Sequence, residues 1–80
     1  MEELLKFVVG SLIDQPDQIE LETKAESDSV FVVFVRVPKE DLGKVIGKNG
    51  KVADSIRTIV RSATAQSGKK YIIKFGEKEA

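Results

Sequence analysis

The chain has 80 residues, 41% of them hydrophobic, and its thirteen Lys and Arg balance thirteen Asp and Glu. A chain of this length and apolar content makes one small domain, because shorter pieces could not bury enough surface to fold. The sequence contains no cysteine and no histidine, which excludes a disulfide framework, a thiolate metal site and the commonest catalytic base, so neither an enzyme nor a cofactor is expected.

The first predicted element is an amphipathic helix within residues 1–15. Apolar residues recur at helical spacing as far as Asp14, and "QPD" at 15–17 ends the helix because proline cannot continue its hydrogen bonds. Glu2 and Glu3 stand where a signal peptide needs basic residues, and no apolar run approaches the ~18 residues of a membrane span. The sequence therefore predicts a soluble cytoplasmic protein without a membrane partner.

Two strands are predicted next. "IELETKA" at 19–25 alternates apolar and polar residues, as a half-buried strand does, and the polar "ESDS" at 26–29 predicts a turn. "VFVVFVRV" at 30–37 is β-branched or aromatic almost throughout, which indicates a central strand with much of both faces covered.

Residues 38–66 predict a helix, a glycine loop and a second helix. Proline and acids at 38–41 suit a helix start, and Leu42, Val45 and Ile46 supply the buried stripe of this short helix. From 51 to 66 the apolar residues fall within one arc of ~120°, which predicts a longer amphipathic helix.

The chain closes with a predicted strand, "KYIIKF" at 70–75, after Gly68. We expect residues 76–80 to form a frayed tail. The element order αββααβ predicts an α+β fold in which a three-stranded sheet has three helices packed on one face.

The segment "VIGKNGK" at 45–51 permits two interpretations. Asn49-Gly50 between apolar residues is a strong β-hairpin signal, but a hairpin needs period-two alternation on both sides, and both sides have helical spacing. The alternative is a G-x-x-G connection between two helices, whose glycines permit positive φ and close approach by another backbone. The unpaired N–H groups where the next helix starts favour an anion. Lys44, Lys48 and Lys51 add positive charge, so the segment predicts a loop that contacts phosphates.

The charges are divided unequally along the chain. Residues 1–43 hold four Lys and Arg against ten acids, a net charge of −6, whereas residues 44–80 hold nine against three, a net charge of +6. Such asymmetry is typical of proteins with an anionic partner, although it also arises when two solvated faces differ in charge.

The stretch "VIGKNGKVADSIRTI" resembles the core signature of the K-homology (KH) RNA-binding domain, an Ile-Gly-x-x-Gly stretch joining two helices. The order αββααβ is similar to the type II arrangement of bacterial KH domains, and the resemblance covers essentially the whole chain. It is closest to the small stand-alone KH proteins of bacteria, the KhpA type. Many KH domains have a larger aliphatic residue at the position of Ala53, which implies a narrower groove here.

The resemblance implies a cleft for about four single-stranded nucleotides, with the loop clamping their backbone. Gly47, Lys48, Asn49 and Gly50 would contact phosphates and sugars, with Lys44 and Lys51 beside them. Apolar packing at or below the groove floor would come from Ile46, Ala53 and Ile56.

Charged and aromatic residues outside the loop have two interpretations each. Arg57 and Arg61 either steer phosphates or only confer solubility, and Lys69, Lys70 and Lys74 are interpreted as ordinary surface charge. The strand aromatics could form a stacking platform for bases, but strands that pack against helices favour a core position. These aromatics are Phe31, Phe34, Tyr71 and Phe75.

The predicted partner is single-stranded RNA, with no small-molecule substrate and no metal. The resemblance implies self-association or pairing with a larger KhpB-type protein, and RNA-chaperone or post-transcriptional regulation linked to cell shape and cell-wall biogenesis. We expect a dimer interface at Val52 and Ile59, on one border of the long helix's apolar arc. The alternative function is a protein-interaction or assembly subunit in which RNA binding is secondary.

Overall fold

The computed structural model describes residues 1–78 and has the predicted order of elements. Three helices, three strands and two short 3₁₀ turns follow one another as α1 (Glu2–Gly10), a turn (Pro16–Gln18), β1 (Glu20–Ala25), β2 (Val30–Val37), α2 (Lys39–Ile46), a turn (Lys48–Gly50), α3 (Lys51–Ala63) and β3 (Lys70–Glu77). The predicted α+β class and αββααβ order are confirmed.

The strands form one sheet in the order β1-β2-β3, with β2 in the centre. β1 and β2 pair antiparallel across the short turn that joins them, with Leu21 opposite Val35. β2 and β3 pair parallel, with Val33 opposite Ile73, because the α2–loop–α3 segment carries the chain back to the start of the sheet. β3 therefore lies at a free edge beside α3.

The core lies between the sheet and the helices. Successive residues of a strand point to opposite faces, so the odd-numbered residues of the three strands share one face. Val33, Val35, Val37 and Ile73 on this face are buried in one cluster with residues of all three helices. The helix contributions to the cluster are Leu5, Val9, Val45, Ile56 and Val60.

The even-numbered residues of the three strands point away from the helices and form what we call the open face. The prediction that all four strand aromatics lie in the core is wrong for Phe34, which belongs to the open face opposite Lys74. Tyr71 and Phe75 lie half-buried against the helix-side core, and Phe31 stacks on Tyr71 with ring centroids 5.3 Å apart.

Both long helices end earlier than predicted. α1 stops at Gly10 and not near Asp14, because the Ser11 hydroxyl donates to the Val8 carbonyl and the Leu12 N–H donates to the Val9 carbonyl at 3.0 Å, which tightens the last turn. α3 stops at Ala63 and not at residue 66, since Thr64 leaves helical geometry with φ −110° and ψ 7°.

The last strand is longer than predicted. Gly76 and Glu77 pair with β2, and the Lys78 N–H donates to the Val37 carbonyl at 2.7 Å. The predicted frayed tail therefore does not begin at residue 76, and its last two residues, 79 and 80, lie outside the described residues. Within residues 1–78, none of the helices has the length and apolar character needed to cross a bilayer.

Candidate nucleic-acid interface

The glycine loop joins two helices. α2 ends at Ile46 and α3 begins at Lys51, and a single 3₁₀ turn of Lys48–Gly50 connects them. The Gly50 N–H donates to the Gly47 carbonyl at 3.2 Å, which closes the loop on itself. The β-hairpin alternative is therefore excluded.

Gly47 is required both by its backbone angles and by its surroundings. Its φ of 75° and ψ of 174° belong to a region that only glycine enters readily. A Cβ atom there would lie 2.4 Å from Val52 Cγ2 and 2.9 Å from the Val52 backbone nitrogen. The absence of a side chain lets the loop lie directly against the first turn of α3.

Asn49 and Gly50 are both left-handed. Asn49 has φ 57° and ψ 28°, and Gly50 has φ 75° and ψ 13°. A Cβ at Gly50 would meet no atom within 4 Å, so only the backbone angle favours glycine there. In the described part of the chain no side chain caps the start of α3, so its first N–H groups have no side-chain acceptor there.

The lysines around the loop differ in availability. Lys48 and Lys51 are exposed and form no salt bridge with any residue in the described part of the chain. Lys44 instead donates to Asp14 and lies 3.4 Å from Asp41 Oδ1. The hydrogen bond to Asp14 is the main reason that the pKa of Lys44 is raised. Lys44 is therefore not the mobile charge that the sequence predicted.

Asp41, which the sequence analysis did not single out, is the buried carboxylate behind this lysine. It is 1% exposed, and its Oδ2 atom has no hydrogen-bond partner in the structure. It lies in the first turn of α2, where the helix dipole favours a negative charge. Its salt bridge with Lys44 holds the lysine side chain against α2. Lys48 and Lys51 are therefore the cations of the loop that remain available.

The predicted apolar floor lies below the surface. Ala53 and Ile56 are 3% and 2% exposed and belong to the interior of the protein, whereas Ile46 is half-buried at the end of α2. Ala53 and Ile56 can therefore support a groove from beneath but do not line it.

The Arg57 side chain contacts the free edge of β3. Its Nε donates to the Ile73 carbonyl at 3.2 Å, its Nη1 lies 3.3 Å from Asp54 Oδ1, and its guanidinium lies 5.4 Å from the ring centroid of Phe75. Alternate residues of β3 turn their backbone groups toward β2, as Lys70 shows by donating to the Ser29 carbonyl. Ile73 faces the other way, and Arg57 satisfies its carbonyl in the absence of a neighbouring strand.

A cavity of about 580 Å³ lies at the end of α3 remote from the glycine loop. It contains Arg61, the second predicted arginine, together with Lys69 and Lys70, which the sequence analysis treated as surface charge. Among residues 1–78, the lining consists of Ser29, Val30, Arg57, Arg61, Thr64, Ala65, Gly68, Lys69, Lys70, Tyr71, Ile72 and Ile73. Because these described residues include four cations and no carboxylate, the cavity favours an anion. The Lys69-Lys70 pair at the start of a strand was the available sequence signal.

The predicted residues thus form two groups on α3. Gly47, Lys48, Asn49, Gly50 and Lys51 lie together at its N-terminus, whereas Arg57 and Arg61 face the β3 edge. Within residues 1–78, no group of three or more metal-ligating side chains is placed to hold an ion. The arrangement offers backbone N–H groups and cations, which suits binding of a polyanion.

The two residues of the expected dimer interface differ in exposure. Ile59 is 43% exposed on α3, but Val52 is half-buried and packs against the core beside Gly47. Of these two residues, only Ile59 has a large apolar side chain that is exposed and so available to a partner.

Comparison with known proteins gives consistent matches. A family model described as "KhpA/KhpB, KH domain" matches residues 2–75. The chain is 36% identical over 73 residues to the RNA-binding protein KhpA of Clostridium perfringens, which covers 91% of this chain and 96% of that protein. It is 40% identical over 73 residues to the RNA-binding protein KhpA of Oceanobacillus iheyensis, with the same coverage. It is also 40% identical over 70 residues to the RNA-binding protein KhpA of Listeria monocytogenes, covering 88% of this chain and 91% of that protein.

Proposed function

Because the chain belongs to the KhpA/KhpB family of KH domains, we propose that it is a non-catalytic protein that binds short single-stranded RNA. The relatives named above are RNA-binding proteins, and each is covered over nearly its whole length. The observation that carries the proposal is the loop at the start of α3. There, two left-handed residues, a side-chain-free Gly47 and two lysines that form no salt bridge with the described residues surround backbone N–H groups without a side-chain cap.

Each part of the site has a role that follows from its chemistry. Gly47, Asn49 and Gly50 let a phosphate approach the backbone, and Lys48 and Lys51 neutralise its charge. Ile46 provides apolar surface at the loop, and Ala53 and Ile56 support the floor from the core.

The two arginines extend the site along α3. Arg57 and Arg61 lead from the loop to the cavity, so a strand clamped at Lys48 would pass both guanidinium groups. Arg57 already has three contacts within the protein, so we assign it to positioning the groove wall and Arg61 to phosphate contact. We assign no direct phosphate contact to Lys44, because its charge is paired with Asp14 and Asp41.

A second copy or a larger partner would strengthen binding. A groove for about four nucleotides gives limited affinity, and linking two such grooves raises the effective concentration of the second. We therefore propose that the protein acts as a dimer or with a KhpB-type protein, as an RNA chaperone or post-transcriptional regulator.

A second candidate function is assembly of protein complexes with RNA binding secondary. The observation that favours it is the exposure of large apolar side chains on two helices and the turn after α1. Phe7 is 78% exposed, Ile59 43% and Leu12 41%. Exposed apolar side chains of this size are frequent where proteins associate.

The test of the RNA-binding proposal is the double substitution Lys48→Asp with Asn49→Asp. Both residues are exposed between glycines, so the fold should persist, and acids at the start of α3 are favourable by ~0.3–1 kcal/mol each at most. We expect binding of a five-nucleotide RNA to be lost, measured by fluorescence anisotropy, with a thermal unfolding midpoint that is unchanged or raised.

The matched control is Lys6→Asp with Lys39→Asn, which makes the same change in net charge at exposed positions away from the loop. It should bind RNA nearly as well as the parent protein. Equal binding by the loop variant and this control would exclude the loop as the RNA site and would favour the assembly function.

A further inference from the structure

The open face of the sheet carries positive charges that no acid within residues 1–78 compensates. Its two acids, Glu20 and Glu22, are occupied: Glu22 pairs with Arg36 at 3.2 Å and Glu20 with Lys78 at 3.8 Å. Three further lysines of this face, Lys24, Lys70 and Lys74, are exposed and form no salt bridge with the described residues. The face therefore has an excess of cations that is available to an anionic partner.

These lysines surround an apolar strip. Val32 is 6% exposed although it is not part of the helix-side core, and it pairs with Lys24 on one side and Ile72 on the other. The neighbouring Phe34 ring has Lys24 Nζ at 5.7 Å and the Arg36 guanidinium at 5.4 Å from its centroid. Proteins that bind single-stranded nucleic acid without strong base preference combine such aromatic rings with cations along the backbone path.

The open face is continuous with the α3 site. The cavity at the end of α3 is lined by Arg57 and Arg61 and also by Val30, Lys70 and Ile72 of the open face. It therefore borders both surfaces where β3 begins. α3 has 13 residues and is about 20 Å long, so a strand clamped at the loop has to run along the whole helix before it reaches the cavity and the open face.

We propose that the open face is a second contact surface for single-stranded RNA. It takes the part of the strand that continues beyond the loop, along α3 and round the edge of β3 to Phe34. This inference rests on the proposed function, since the same strand is clamped at the loop. RNA fits better than an acidic protein, because the cations lie at the loop, in the cavity and on the sheet, where one extended polyanion can contact all three places.

The experiment compares two double variants that remove the same charge. Lys24→Gln with Lys74→Gln alters the open face, and Lys6→Gln with Lys39→Gln alters exposed lysines of α1 and α2. Binding of oligo(A) and oligo(U) RNAs of about 5 and about 12 nucleotides is measured by fluorescence anisotropy at several salt concentrations, within the range of ~4–16 nucleotides that small single-strand-binding folds cover.

The open-face variant should bind the shorter RNAs within about twofold of the parent protein and the longer RNAs at least about fivefold more weakly. Its log–log salt slope for the longer RNAs should be shallower by about 1.4, which is ~0.7 for each lost phosphate contact. The control should change neither value. Equal losses for both RNA lengths would indicate a general field effect and overturn the proposal.

Two other results would also overturn the proposal. One is unchanged affinity and slope for the longer RNAs. The other is an altered sedimentation coefficient of the RNA-free variant with unaltered RNA binding, which would assign the face to contact between copies. A wrong assignment of the loop can be distinguished from a wrong assignment of the open face. If the loop does not bind RNA, the variant Lys48→Asp with Asn49→Asp would still bind the shorter RNAs.

Discussion

At the scale of single residues, the loop depends on two glycines for different reasons. Gly47 has a φ and ψ that exclude other residues, and Val52 fills the space where a side chain would lie. Gly50 has a left-handed backbone but open space around it. Glycine is therefore needed at position 47 for both packing and backbone conformation, and at position 50 for backbone conformation alone.

This difference predicts unequal losses of stability on substitution by alanine. Gly50→Ala should lower the free energy of unfolding by about 1–2 kcal/mol, the cost of a left-handed alanine. Gly47→Ala adds a steric clash with Val52 and should lower it by about 2–4 kcal/mol. Urea unfolding followed by circular dichroism measures both values. A loss at Gly50 equal to or larger than that at Gly47 would contradict the role given to Val52.

At the scale of elements, α3 serves three surfaces at once. Its N-terminus meets the glycine loop, one flank places Arg57 over the edge of β3, and Ile59 is exposed on another. The buried Ala53, Ile56 and Val60 between these flanks fix the helix to the sheet. Changes on one flank can therefore be tested without altering the others.

We expect Ile59→Lys to abolish self-association while the protein stays folded. Because Ile59 is 43% exposed in the single chain, its loss should cost the fold little, whereas a lysine in an apolar interface would have to be desolvated. Sedimentation velocity at micromolar concentration measures the oligomeric state.

Thr58→Lys is the control for this substitution, since Thr58 is exposed about 100° further round the same helix. It should leave self-association unchanged. Unchanged sedimentation of Ile59→Lys, or its unfolding, would show that this flank of α3 is not the interface.

For the molecule as a whole, the zero net charge is the sum of an acidic and a basic half of the chain. These two halves also supply different elements of the fold. The acidic half supplies α1 and β1, and the basic half supplies the glycine loop, α3 and β3. Ion pairs such as Lys44 with Asp14 and Lys78 with Glu20 join the halves at their border. The remaining cations of the basic half lie at the loop, along α3, in the cavity and on β3, so an anionic partner would meet most of the cations of that half.

RNA binding should therefore weaken with salt. For an RNA of about five nucleotides we expect two to four phosphate contacts, which gives a log–log slope of about −1.4 to −2.8. Fluorescence anisotropy between low and high salt measures this slope. A flat dependence would show that the basic half is not the binding surface.

The order of elements, the loop and the family could all be predicted from the sequence, because they depend on residues close together in the chain. Helical spacing on both sides of Asn49-Gly50 was sufficient to reject a hairpin, and β-branched residues at 30–37 were sufficient to identify the central strand. The apolar periodicity predicted too long an α1. Ile13 is buried and fits the helical spacing, but the backbone has already left the helix after Gly10.

Which of these residues are available to a partner depends on contacts between distant segments, which the folded structure shows. Lys44 is neutralised by Asp14 from a distant segment, and Arg57 is occupied by a carbonyl of β3. Phe34 lies outside the core because helices cover one face of the sheet alone. The spacing within a strand says which residues share a face, but which face the helices cover depends on contacts between segments far apart in the sequence.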